Sequence, residues 1–301
     1  MKSWKPYAAL VGLCFFWGTT YLGIKIGVPH FPPFLFSGVR YVISGAVVLL
    51  YFLLFARKER WPSGKELLRI VISGTFIFTG GNLFLVFAEK QVESGLAALV
   101  NTMFPVWIVI ITRIWNPTEK TPPLALLGIF IAFAGQFLIF QGQLEAIKNP
   151  AYLGGLLFLI GGVINGSIGS VYMKKHPVTI NPVLVGALQM FLCGAFTAFL
   201  GLISGERIAE DTPAEGWWSM LYLIIAGSII GYSLFVYALH HLPATLVSVY
   251  AYVNPIVALW LGWLILSEPV SMKSVYAMMI TLTGVYLVNR GMRRATKLTS
   301  R

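Results

Sequence analysis

Three ionisable side chains inside otherwise apolar stretches are the first candidates for chemistry: Lys25, Arg40 and Glu89. Arg40 is the costliest, because an arginine near the centre of a membrane helix costs about 2.5 to 3.5 kcal/mol on insertion scales. It follows Phe34 by six residues, roughly 9 Å along a helix. It therefore either meets an anion or carboxylate in a cavity, or serves as a structural pair or a snorkelling anchor. Lys25 either forms an ion pair with Glu89 or Glu93 or acts as a gate or substrate contact. Glu89 is either a solvated helix end or a carboxylate that titrates as the protein works.

Uncharged polar residues are cheaper to bury and more numerous. Asn82, Asn101, Asn165, Gln189, Tyr232, Tyr237 and Asn254 can supply a cavity with donors and acceptors, and Trp17, Phe84, Tyr250 and Tyr252 can wall it with aromatic faces. Helix-to-helix hydrogen bonding or lipid-facing packing is the competing reading of each. Other chemistry lacks its residues. There is no HExxH or paired-carboxylate motif, NGSIGS at 165–170 has no clear nucleophile elbow, and glycine-rich spans without a phosphate-cradling lysine argue against direct ATP use. The adjacent His240 and His241 do not share a helix face. Cys14 and Cys193 both fall in apolar runs, so neither a disulfide nor a metal site is expected. The sequence thus predicts no enzyme, no cofactor and no metal.

The elements that position these residues are membrane helices. Hydrophobic residues make up 57% of the 301 residues and charged ones 11%, against about 25% charged in soluble domains. Apolar runs long enough to cross a bilayer recur at 7–28, 34–55, 69–89, 94–114, 122–140, 153–173, 183–204, 217–239, 244–266 and 272–289. Breakers separate them, among them Pro32 and Pro33, Pro62 and Gly64, Pro122 and Pro123, Pro150, Pro182, Pro213 and Pro269. The first run has no convincing cleavage site and is expected to remain as a span. The net charge of +11 lacks a basic globular domain and does not point to nucleic acid. With the N-terminus inside, sixteen Lys and Arg fall on the inner side and four on the outer (Lys90, Lys148, Arg207, Lys273), with Lys25 and Arg40 in or at the edge of spans. That bias predicts a multi-pass protein of the cell membrane, with both termini cytoplasmic and an even number of crossings.

The chain also repeats. Ala88–Pro105 and Ala238–Pro255 align at an offset of 150, and Pro33, Arg40, Gly45, Glu119 and Gly135 meet Pro182, Gln189, Gly194, Glu268 and Gly284 at 149. Because Gln189 stands where Arg40 does, any charge there is one-sided. Pro105 and Pro255 each interrupt an apolar span and loosen the carbonyl four residues back, those of Asn101 and Ala251, so these two helices are candidate kink or gate elements beside a wet cavity. Five spans per half is an odd number, so the second half must enter the membrane the other way up. The predicted fold is all-α and integral to the membrane: ten transmembrane helices in two inverted five-helix repeats, residues 1–145 and 146–301. Gly23 and Gly27, Gly162 and Gly166, and Gly227 and Gly231 have the spacing of close helix packing.

With FFWGTTYLGIK in the first span, Arg40 followed by Tyr41, and Ala88, Pro105, Glu119, Gly135, Ala238, Asn254, Pro255, Glu268 and Gly284 along the repeats, the chain resembles the EamA-like branch of the drug/metabolite transporter superfamily over nearly its whole length. The resemblance implies secondary transport of small organic solutes by alternating access, often export of amino acids or related metabolites, with the first four spans of each half around a central cavity. The alternative is efflux of drugs and toxic compounds; a channel or a membrane-embedded enzyme is less expected. Partners are then a small-molecule substrate and the lipid bilayer. Two departures stand out. The corner before Glu119 is stretched by Asn116, Pro117 and Thr118, and no carboxylate lies between Tyr7 and Val28, where the small four-span multidrug relatives carry one.

Overall fold

The structure is a computed structural model that describes residues 4–56, 59–118 and 121–299. Lys2, Arg57, Lys58, Lys120 and Arg301 of the charge count, and Glu119 of the repeat, lie outside the described residues. Helices occupy the apolar runs in order: α1 (Lys5–Gly27), α2 (Pro33–Phe55), α3 (Gly64–Glu89), α4 (Ser94–Trp115), α5 (Pro123–Gly142), α6 (Pro150–Lys175), α7 (Pro182–Ile203), α8 (Ala214–His241), α9 (Tyr250–Leu266) and α10 (Met272–Thr299). Short helical turns at Leu144–Ile147 and Ala244–Val247 precede α6 and α9. No strand occurs among the described residues. The helices α1 to α8 are long and apolar enough to cross a membrane, and α9 is apolar but shorter. The fold is that of an all-helical membrane protein, and its outward faces are apolar. Phe130 is 73% exposed on α5, which suits a surface bathed in lipid tails as apolar as the side chain itself.

The helix ends follow from the punctuation. Ser63 and Glu66 form a reciprocal capping box at the start of α3. Asn149 and Asn181 accept the Ala151 and Val183 amides (2.9 and 3.0 Å) ahead of the prolines that open α6 and α7. By contrast α2 begins at Pro32 and Pro33 with no capping side chain of its own. Its first amides, Phe34 and Leu35, donate to Glu206 from the loop after α7 (3.4 and 2.9 Å). Gly205 (φ 83°) turns the chain after α7, and Ser267 (φ 55°) ends α9 in the left-handed region.

The most intimate packing is between α5 and α10 and between α2 and α7, while α1 packs against α8 and α9. Both close pairs meet at glycines. A methyl at Gly194 would lie 2.7 Å from Val42 N and 3.0 Å from Gly38 O; one at Gly45 would press on Phe191 N and Ala187 O. A methyl at Gly135 would lie 2.6 Å from Thr281 N and 3.0 Å from Ala277 O; one at Gly284 would press on Ala132 N and Gly128 O. Within each pair the two contact sets exchange when residue numbers are shifted by 149.

Candidate functional site

Midway along α3 and α8 the hydrogen-bond ladder changes pitch. From Thr75 to Asn82 and from Leu223 to Ile230 it runs i→i+5, eight residues in each helix. Such π stretches are rare and recur at functional sites, and these two lie in equivalent parts of the two halves. The polar side chains of neighbouring helices gather on them. Trp17 of α1 donates its indole N–H to Gly227 O (3.1 Å), and Arg40 of α2 donates Nε–H to Ser228 Oγ (3.2 Å). On α3, Thr79 and Thr197 share a hydroxyl bond (2.9 Å), and just before the π stretch Ser73 Oγ accepts from Gln189 Nε2 (2.8 Å).

Arg40 is 5% exposed, and its guanidinium lies 4.8 Å from the Tyr41 ring centre. Among the described residues no carboxylate lies within salt-bridge distance of it. A buried cation needs a counter-charge or several acceptors, and here the described residues supply one hydroxyl, that of Ser228. Gln189, equally buried at 5%, differs because its amide is met by Ser73 and carries no charge.

An aromatic cluster stands beside this cation. The Trp17 ring packs on Phe235 (5.1 Å) and edge-on to Tyr250 (5.0 Å), and Tyr232 adjoins Phe235 (6.3 Å) while donating to Pro182 O (3.2 Å). Asn254, with its amide nitrogen turned towards the acceptors around it, donates to Tyr250 O (2.9 Å) and Cys14 O (3.2 Å) and ties α9 to α1. The structure thus brings Trp17, Tyr232, Tyr250 and Asn254 together. A second group joins α3 to α6: Asn165 packs on Gly80, and Phe84 packs on Gly161 and Phe158. Tyr237 stands apart, 38% exposed with its ring 4.2 Å from His241. The Tyr252 hydroxyl accepts from Asn289 (2.6 Å), joining α9 to α10.

The asparagines share one habit. Asn101 and Asn165 donate their amide N–H to the carbonyl four residues back (3.0 and 2.8 Å), and Asn82, at the end of a π stretch, to Ile77 five back (3.1 Å). Their donors are met locally, and their oxygens have no donor among the described residues. Together these side chains carry acceptor oxygens, aromatic faces and one guanidinium.

The two prolines act differently. In α4 the ladder breaks at Thr102 and Met103, which bond three residues back to Leu99 and Val100, so the carbonyl freed is that of Asn101. In the other half the break falls at Ser248 and Val249, and Pro255 sits buried within α9.

At the α3–α4 corner, Lys25 Nζ donates to two backbone carbonyls, Glu89 O (2.8 Å) and Val92 O (2.6 Å). Glu93 accepts from the Tyr152 hydroxyl (3.1 Å). Glu268 reaches from beyond α9 to accept from Ser94 N (2.8 Å), Ser94 Oγ (2.9 Å) and Gly95 N (3.2 Å), capping α4 across the halves. Surface recesses open here, around Glu268 and Pro269, and include neither Arg40 nor the aromatic cluster. Ser228, Phe235 and the capping role of Glu268 escaped the sequence reading. Ser228 and Phe235 carry no motif, and Glu268 stood out only as a repeat marker.

Comparison with known proteins finds relatives along nearly the whole chain. A family model described as the EamA-like transporter family matches residues 4–141 and again 153–290. The chain is 32% identical over 286 residues to the uncharacterized inner membrane transporter YedA of Escherichia coli (strain K12), covering 95% of this chain and 90% of that protein. It is 24% identical over 288 residues to the uncharacterized transporter YoaV of Bacillus subtilis (strain 168), with coverage of 94% and 96%. A solved crystal structure 20% identical in sequence superposes with a TM-score of 0.67, covering 97% of this chain and 98% of the other, a likeness of fold.

Proposed function

The chain belongs to the EamA-like transporter family, and on that premise we propose that it is a secondary carrier that moves amino acids or related small metabolites out of the cell by alternating access. The observation that carries this reading is Arg40: a buried guanidinium with one hydroxyl partner, set against the aromatic cluster of Trp17, Phe235 and Tyr250. A solute carboxylate supplies the missing counter-charge, in a geometry that suits the planar guanidinium. An apolar side chain fits the aromatic faces, and an amino group finds asparagine oxygens. Arg40, Trp17, Asn82, Phe84, Asn101, Asn165, Gln189, Tyr232, Tyr237, Tyr250 and Asn254 are the proposed cavity set, with Pro105 and Pro255 as kinks.

The same proposal takes residues 1–145 and 146–301 as inverted five-helix repeats, with ten crossings and cytoplasmic termini. The exchange of glycine contacts under a shift of 149 supports a two-fold relation between halves, and the distribution of Lys and Arg supports the orientation. Alternating access follows if such halves rock about a shared site.

Counterflow tests the function. Liposomes holding the protein and loaded with unlabelled leucine, phenylalanine or glutamate are expected to take up the labelled counterpart transiently above equilibrium. Arg40→Gln is expected to lose this exchange while remaining folded. No counterflow with any carboxylate-bearing amino acid, or single-channel currents, refutes the proposal. Labelling of single cysteines at the two chain ends from opposite sides of the membrane refutes the topology.

A further inference from the structure

Glu89 ends α3 at 0% exposure, and among the described residues neither carboxylate oxygen has a hydrogen-bond partner. Orphaned buried polar atoms are uncommon enough that each calls for an explanation, and two on one carboxyl group call more loudly. Lys25, which has the length and charge to neutralise it, donates instead to the backbone carbonyls of Glu89 and Val92. The ionisable groups that face the carboxyl are Tyr21 and Lys25 from α1, Arg40 from α2 and Glu268 from beyond α9. Tyr152 of α6 also faces the corner but is engaged by Glu93.

Two physical facts bear on this arrangement. An ionised carboxylate stripped of water and donors costs several kcal/mol, and this one sits where the carbonyl ends of a helix already concentrate negative charge. Lys25 meanwhile satisfies carbonyls that the helix end leaves open and, in doing so, fastens α1 to the corner. As it stands, the corner buries a carboxyl group while Lys25, the cation hydrogen-bonded at the same corner, is engaged by backbone carbonyls instead.

We propose that the α3–α4 corner is a proton-locked gate. Glu89 binds one proton from water as the corner closes on Lys25. When the corner opens, Glu89 returns that proton to water on the same side, and the ammonium released from the two carbonyls pairs with the new carboxylate. This deepens the carrier reading, taking the corner as the outer gate. By linkage, acid favours the closed form, and the ratio of closed to open changes about tenfold per pH unit over the titration of a single proton.

The test uses no solute. With the buried Cys14 and Cys193 replaced by serine, spin labels are placed at Pro29→Cys and Lys90→Cys, both exposed. Their separation in liposomes is read by pulsed dipolar spectroscopy from about pH 4, the ordinary carboxylate range, to about pH 9. The expected result is a short-distance population that gives way to a longer one as pH rises. Glu89→Gln holds the short distance throughout, and Glu89→Asp keeps the pH response. A wild-type distance that ignores pH, or a Glu89→Gln protein that follows the wild type, overturns the proposal. Should Glu89→Gln not assemble, infrared spectra of the unsubstituted protein decide: a protonated-carboxyl band must titrate with the same midpoint as the distance, and its absence is equally fatal. Failed counterflow would sink the carrier reading and leave this result standing; a flat pH response would do the reverse.

Discussion

Arg40 and Gln189 occupy matching places on α2 and α7, each 5% exposed, yet the two halves use the place differently. At Gln189 the side chain is neutral and its amide N–H donates to Ser73 Oγ (2.8 Å). At Arg40 a full positive charge meets, among the described residues, one hydrogen-bonding partner, the Ser228 hydroxyl (3.2 Å), beside the Tyr41 ring. The surrounding mechanics match: the glycines at 45 and 194 meet the opposite backbone through equivalent atoms. Helix capping diverges in the same manner, since α7 is capped by its own Asn181 while α2 relies on Glu206 from the other half. Packing has stayed alike where backbones touch, and chemistry has diverged where side chains face inward.

The largest expected effect comes from forcing the halves to agree on charge. Gln189→Arg adds a second buried cation beside Ser73 with no counter-charge, costing several kcal/mol, and should reduce the folded protein recovered from membranes at least severalfold. Its counterpart, Arg40→Gln, makes both places neutral. It should leave folding intact and cut leucine or phenylalanine exchange by about 10- to 100-fold, the worth of a charged hydrogen-bonded contact of about 1.5–3 kcal/mol. An equal fall in folded protein and in exchange would mean that the arginine is structural. Gly194→Ala and Gly45→Ala compare the shared mechanics: each should lower stability by about 1–3 kcal/mol through overpacking, seen as similar losses of melting temperature in detergent. A markedly unequal pair breaks the equivalence of the seams. The smallest effect is Gln189→Leu, which removes one amide bond and should cost about 1 kcal/mol, seen as a small drop in melting temperature in detergent and a loss of exchange well below that of Arg40→Gln.

Much of the helical layout was legible because it rests on simple physics. Length of apolar run and proline punctuation put α6 and α7 close to where they lie, whereas the apolar run at 69–89 begins five residues after the start of α3 at Gly64, because the capped first turn is polar. Arg40 and Gln189 were legible as a mismatched pair, since the offset of 149 aligns them without any coordinates. The π stretches were not: TFIFTGGN and LIIAGSII share small residues and little else, and a change of ladder pitch leaves no periodicity short enough to detect. Residue types display charges, and so the sequence offers Lys25 an ion pair with Glu89 or Glu93, or a gate or substrate contact. The unsatisfied carbonyls at a helix end, which hold it here, belong to every residue alike. Nor does spacing distinguish Pro105, which lies just after a broken turn, from Pro255, which lies inside a continuous helix.

The paired change of pitch in α3 and α8 has a mechanical corollary. A stretch bonded i→i+5 winds more chain into each turn than its α-helical neighbours, so both walls hold slack that can be paid out as length without drawing on the loops. Each bond that reverts to i→i+4 turns the side chains beyond it about the helix axis. For Ser228, which holds Arg40, and Gly227, whose carbonyl holds Trp17, such a turn would loosen cation and indole in a single stroke.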